Sequence, residues 1–185
     1  MSQRNEVSEP HVAHAFRIPF PDKEISGELL FDGQPLNGDR MLEHLDAGLV
    51  AGYKNFVKGL FSATSLSPEI RELAIVRVGH LSGCQYEVHH HSALAAELGV
   101  PDSKIADMEK KQPETLNAPE SAAICFVDEL VHAVRPSDAV LLEVRNHFSD
   151  REVLELVLVV GNWMMGARFV ETIGLPVEDF AVKPS

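Results

Sequence analysis

Ser67-Pro68-Glu69-Ile70-Arg71-Glu72-Leu73-Ala74-Ile75-Val76-Arg77-Val78-Gly79-His80-Leu81-Ser82-Gly83-Cys84-Gln85-Tyr86-Glu87-Val88-His89-His90-His91-Ser92-Ala93-Leu94-Ala95-Ala96-Glu97-Leu98-Gly99 is the stretch on which the fold turns. Ser67 offers an oxygen to the orphan amides of a helix start, and Pro68 at the first helical position gives up no donor that the helix needs. A helix therefore runs from Ser67 to about His80. Ser82-Gly83 interrupts it, and a second helix from Cys84 to Leu98 stops at Gly99 with Pro101 just beyond. Two helices meet near Gly83.

Working outward, the same periodicity recurs. Met41, Leu42, Leu45, Leu49, Val50, Tyr53, Phe56, Val57, Leu60 and Phe61 form a broad apolar stripe, which predicts one helix of about six turns from Asp39. Downstream, Asp102 is read as the cap of a short helix to about Lys110, and Ala118 to Val134 as a helix ended by Arg135-Pro136. Ser137 caps another to about His147, and the capping box Ser149-Asp150-Arg151-Glu152 opens a long apolar helix that stops at Gly174. No sustained two-residue alternation occurs, so the fold class is all-α, a single-domain bundle of about six or seven helices. Residues 1–38, rich in Pro, Gly and charge, read as an extended arm that wraps the body or a neighbouring subunit, with the helical domain at 39–185. Ser67 to Gly79 and Ser149 to Gly161 echo each other as capped, Val/Leu-rich runs of equal Ser-to-Gly separation.

Composition narrows the partners. A formal net charge of −12, with scattered Lys and Arg, repels a phosphate backbone, so no nucleic acid is expected. The most apolar run, Val153 to Ala167, carries Glu155 and reads as too short for a membrane span. The first twenty residues lack the charged-then-apolar order of a signal peptide, which points to a cytoplasmic location. Two cysteines, Cys84 and Cys125, are too few for a disulfide framework.

Chemistry concentrates at Cys84, Glu87 and His91, which a helix places on one stripe. Cys84 falls where a helix N-terminus favours an anion and lowers a thiol pKa. Glu87, one turn before His91, is placed to hold the imidazole in one tautomer. His89 and His90 point about 200° and 100° away from His91, and no third well-spaced ligand is evident, so no metal site is expected. Glu72 on the preceding helix either pairs with Arg71 or Arg77 or reaches His91, depending on the angle at Gly83. Trp163, Met164, Met165 and Phe169 read as wall or core residues, Asn162 as an interior polar residue, and His132 and His147 as surface residues.

The run Arg71 to Val78, followed by Gly83 to His91 and then Ala93 to Gly99, resembles the core signature of the carboxymuconolactone decarboxylase and alkylhydroperoxidase D superfamily. In the peroxidase branch, Glu is followed after eleven residues by Cys, after two more by a second Cys, and after three more by His; Glu72, Cys84 and His91 stand in register. Glu87 takes the place of the second Cys, so the vicinal disulfide of that branch cannot form. The Tyr86-Glu87 pair is similar to a subgroup that keeps the fold with a carboxylate there. The resemblance implies an alkylhydroperoxidase D-like fold and site residues Glu72, Cys84, Glu87 and His91. It also implies a small-molecule substrate and a homo-oligomer, trimer or hexamer. These residues suit acid–base chemistry without a cofactor, decarboxylation or lactone isomerisation and opening on a small organic acid, with His91 as shuttle, Glu87 orienting it, Glu72 as second base and Cys84 lining the pocket. Two alternatives stand beside this: hydroperoxide reduction through Cys84 with an external thiol, and a non-catalytic ligand-binding or assembly protein in which the four residues are a buried polar network.

Overall fold

The computed structural model of the chain describes residues 16–25, 29–30 and 34–178. The described residues form eight α-helices and no strand: α1 Asn37–Leu42, α2 Ala47–Ser62, α3 Pro68–Ser82, α4 Gln85–Glu97, α5 Asp102–Asp107, α6 Ala118–His132, α7 Asp138–His147 and α8 Asp150–Ile173. The all-α expectation holds. Much of the expected arm, residues 1–15, 26–28 and 31–33, lies outside the described residues, as do residues 179–185 of the expected helical domain.

Capping residues set the boundaries. Ser67, Ser137 and Ser149 each accept from a backbone amide of the first turn, at Ile70, Val140 and Glu152. Gly83 and Gly174 end α3 and α8 in the left-handed conformation, φ 67° and 69°. Two expectations need correction. The six-turn helix from Asp39 is two helices, because Asp46 is extended and its side chain accepts from Gly48 N, starting a new helix in mid-stripe. In the short helix Asp102 is the first helical residue, with Pro101 at the cap position, and the helix ends at Asp107.

Helix α3 is the centre of the molecule. It packs against α4, α6 and α8, and ten of its residues from Ile70 to Gly79 are buried on every side of the helix. One core lies between α3, α6 and α8, with Ile75, Val78, Phe126, Val127, Leu156 and Val159 inside it; a second, with Leu73, Val76, Met108 and Ile124, lies on the far side of α3. Helix α8 is long and apolar enough, by length and composition, to cross a membrane, with a mean hydropathy of 1.5 in its richest window, contrary to the expectation of no such stretch. Half of that window is buried against the rest of the protein, and Glu155 within it accepts from the amides of Ser65 and Leu66. A core helix has the same composition.

The described part of the amino-terminal segment lies on the body: Arg17 N donates to Ile173 O at 2.7 Å, and Arg40 sits 3.8 Å over the Phe20 ring. Asp39, fully buried, accepts from the amides of Leu30 and Leu36 and pairs with buried Lys54 at 3.1 Å. That carboxylate thus ties Leu30 and Leu36 to α1 and, through Lys54, to α2.

Candidate active site

The site begins at the reversal between α3 and α4. Gly83 makes the turn in a conformation other residues rarely adopt, and four residues earlier Gly79 lets the helices touch: a Cβ there would stand 2.8 Å from Val88 Cγ2 and 3.2 Å from the Val88 amide nitrogen. This approach brings Glu72 on α3 to His91 on α4. Glu72 has no solvent exposure. Its Oε1 accepts from Arg71 Nε at 2.9 Å and its Oε2 from His91 Nδ1 at 2.6 Å, so both pairings that the sequence left open are made. Arg71 also lies 4.4 Å over the Phe61 ring, itself in edge contact with Trp163.

His91 Nε2 faces the other way. Trp163 Nε1 on α8 donates to it at 2.7 Å, and Glu87 Oε2 stands 3.4 Å from it. Burial opposes the charged imidazole, and the carboxylates of Glu72 and Glu87 overcome that, raising the His91 pKa from 6.5 to about 9. Trp163 pulls the opposite way, because an indole nitrogen only donates and its bond to Nε2 exists only while that nitrogen is bare. The 2.7 Å bond matches the neutral ring with its proton on Nδ1 toward Glu72, while the paired carboxylates favour the doubly protonated ring, so Trp163 and a second proton compete for Nε2. The expected roles are exchanged: Glu72 orients the ring, and Glu87 is the carboxylate on its open side.

That open side is a cavity of about 260 Å³. Its walls are mostly apolar, with Leu36, Leu42, Leu45, Leu94, Met165 and Phe169 among them, and the polar groups among the lining residues are those of Tyr53, Tyr86, Glu87, His90, His91, Asn162 and Trp163. Among the described residues no Lys or Arg lines it. Gly166 leaves room for Glu87, since a Cβ at 166 would stand 2.9 Å from Glu87 Oε1. Tyr53 is held neutral, its pKa pushed up to about 12 by burial and then by the charge of Glu87, against a hydrogen bond from Asn162. Asn162 Oδ1 is buried and has no partner among the described residues. At the rim, His90 Nε2 and the Tyr86 hydroxyl meet Glu178 at 2.7 and 2.9 Å, and Asn37 N also donates to it, so the end of the described chain closes onto α1 and α4.

The sequence reading placed Glu72, Glu87 and His91 together, and the structure does the same. Cys84 stands apart. It is the residue before α4 rather than within its first turn, is fully buried, and packs with Met41, Ala167, Val170 and Ile173 instead of lining the cavity. Burial pushes its thiol up to about 12, where the helix N-terminus had been expected to lower it, and nearby Glu87 and Glu171 add to the rise against a hydrogen bond from the Glu87 amide. Cys125 is free and exposed on α6. His132 and His147 are on the surface, as read. Trp163, taken for a wall residue, is also a direct partner of His91, and Tyr53 had been counted only as part of an apolar stripe. The signal for both was present but weak: each is an aromatic residue whose single polar atom must find a partner once buried.

The Carboxymuconolactone decarboxylase family profile matches residues 47–136, the segment that carries Glu72, Cys84, Glu87 and His91. Residues 47–136, just under half of the chain, are thus similar to the carboxymuconolactone decarboxylase family. The uncharacterised protein YdfG of Bacillus subtilis (strain 168) is 25% identical over 100 residues, 52% of this chain and 68% of that protein. Among solved structures, the alkylhydroperoxidase AhpD core of an uncharacterised peroxidase-related protein from Ralstonia eutropha JMP134 superposes with a TM-score of 0.72 at 18% identity, covering 80% of each chain. The debrominase Bmp8 in complex with 2,3,4-tribromopyrrole superposes with a TM-score of 0.71 at 16% identity, covering 80% of this chain and 79% of that one. At these identities the superpositions speak for the fold alone. Solved structures of this fold thus include a peroxidase-related protein and a debrominase.

Proposed function

We propose that this chain is an acid–base enzyme that moves a proton on a small organic molecule without a bound cofactor. The chemistry is of the kind that isomerises or opens a lactone, or reprotonates the enolate left by decarboxylation. One observation carries the reading: a buried His91 is fixed on one side by Glu72 at 2.6 Å and presents its other nitrogen to the cavity, 3.4 Å from the carboxylate of Glu87. While the ring is neutral, Trp163 occupies the His91 lone pair, and Glu87 is the base that meets the substrate. A proton taken up by Glu87 passes to His91 Nε2 as Trp163 lets go, and returns by the same route to a different substrate atom. In an isomerisation no net proton is gained or lost, whereas after decarboxylation the proton given to the enolate is replaced from water; in both the two carboxylates keep the imidazolium stable while it waits.

The thiol reading fits the site less well. A peroxide must reach a thiolate, and the Cys84 thiol is fully buried, with its ionisation suppressed by burial and by the nearby Glu87 and Glu171.

The test is a panel of small lactones and cyclic ketones in deuterium oxide, followed by proton NMR for ring opening or deuterium uptake. The protein is expected to accelerate one or more of them, and His91→Ala and Glu87→Gln to slow that reaction by about a hundredfold or more while remaining folded. Unchanged rates in folded His91→Ala overturn the proposal. So does hydroperoxide consumption that vanishes in Cys84→Ala, which would restore the thiol reading.

A further inference from the structure

The cavity contains one polar group that the proton relay does not explain. Asn162 is 6% exposed, lies in the wall beside Trp163, and leaves its Oδ1 without a donor. A buried acceptor left unmade carries a desolvation penalty that a hydrogen bond from a ligand would remove. Next to it the Asn162 amide meets the Tyr53 hydroxyl, which remains protonated at neutral pH and so keeps a proton to donate. An empty acceptor beside a hydroxyl donor matches a ligand hydroxyl, which gives one hydrogen bond and receives one. The rest of the wall sets the ligand's charge and body. Leu, Val, Met and Phe side chains demand an apolar frame, and the Glu87 carboxylate, with no Lys or Arg among the described lining residues, disfavours a second carboxylate.

We propose that the cavity takes an uncharged, largely apolar molecule bearing a hydroxyl group, an alcohol, phenol or enol, and that Asn162 Oδ1 with Tyr53 is the subsite that recognises that hydroxyl. This narrows the substrate from the small organic acid expected of the sequence to a neutral one. It rests on the cavity being the substrate site of the proton-transfer reading, and Asn162 acts in binding rather than in the transfer.

Binding of three matched probes tests it: 4-propylphenol, 4-propylanisole, which keeps the body and loses the donor, and 4-propylbenzoate, which replaces the hydroxyl by a carboxylate. Titration calorimetry on the full chain is expected to rank the phenol about tenfold tighter than the ether, with the benzoate weakest. In Asn162→Leu the phenol and ether are expected to come within about twofold of each other; Asn162→Ser, with a side chain too short to reach, gives the same reading if the leucine variant does not fold. Equal binding of phenol and ether by the unaltered protein, preference for the benzoate, or a phenol preference that survives both variants overturns the inference. The readout needs no turnover. Selective phenol binding by a protein that catalyses nothing leaves this inference standing and removes the catalytic reading, whereas His91-dependent turnover of carboxylates with no hydroxyl preference does the reverse.

Discussion

At the scale of single residues, the site is a contest for one nitrogen. Trp163 holds His91 Nε2 while it is bare, and Glu87 takes it when it is protonated. Trp163→Phe keeps an aromatic ring and removes the donor, so it is expected to raise the His91 pKa further and to weaken the fold by about 1 kcal/mol, read by NMR titration of the ring and by urea unfolding. A pKa that stays put in that variant would mean that the indole does not govern the ring. The pH dependence of stability has a definite sign. Because the folded-state His91 pKa is raised from 6.5 to about 9, its contribution is complete below pH 6.5 and is lost as the pH climbs through about 9. Unfolding free energy is therefore expected to fall between pH 6 and pH 10, and Glu72→Gln, which removes the first of the two carboxylates, to flatten that fall. The spacing 84, 87, 91 made the stripe legible in the sequence, yet not the division of labour within it. Whether Glu72 or Glu87 orients the ring depends on how closely α3 and α4 approach, and no local spacing records that distance.

At the scale of elements, the caps were the most readable part of the chain. Ser67, Ser137 and Ser149 each do at their helix what their position promised, since an N-cap is a local hydrogen bond and needs no tertiary context. The break between α1 and α2 was not readable in the same way. Apolar spacing through Met41, Leu42, Leu45 and Leu49 continues across it, because a periodicity records which face is apolar and is blind to one extended residue at Asp46. The break matters for the site: it turns Leu45 and Leu49 to the cavity rim, where Leu49 is 62% exposed, while Val57 and Leu60 go to the interior. The α3–α4 crossing carries a sharper prediction. Gly79→Ala places a methyl 2.8 Å from Val88 Cγ2 against neighbouring backbone, and is expected to destabilise the protein by roughly 1–3 kcal/mol in urea melts and to weaken the Glu72 effect on the His91 pKa. A neutral substitution would show that the two helices can part without disturbing the pair.

At the scale of the whole molecule, the ends of the described chain form one wall of the cavity. Leu30 and Leu36 are held by Asp39, whose partner Lys54 lies on α2, and Glu178 ties the other end to His90, Tyr86 and Asn37. Asp39→Asn takes the buried Lys54 ammonium away from its carboxylate and is expected to lower stability by roughly 3 kcal/mol and to weaken binding in the cavity, checked by thermal melts and probe titration. Binding unchanged in a folded Asp39→Asn protein would place this wall outside the site. The sequence reading had an arm wrapping the body or a neighbouring subunit, but not these particular contacts, some of which join distant positions, such as Asn37 with Glu178.

Glu72, the group that holds His91, lies on the helix against which α4, α6 and α8 all pack. Fraying of a terminus or opening of a loop leaves that helix in place, so its amides should exchange with solvent deuterium only when the entire bundle opens. Thermal inactivation and global unfolding should then run at a single rate, and any preparation that is folded already has its relay assembled.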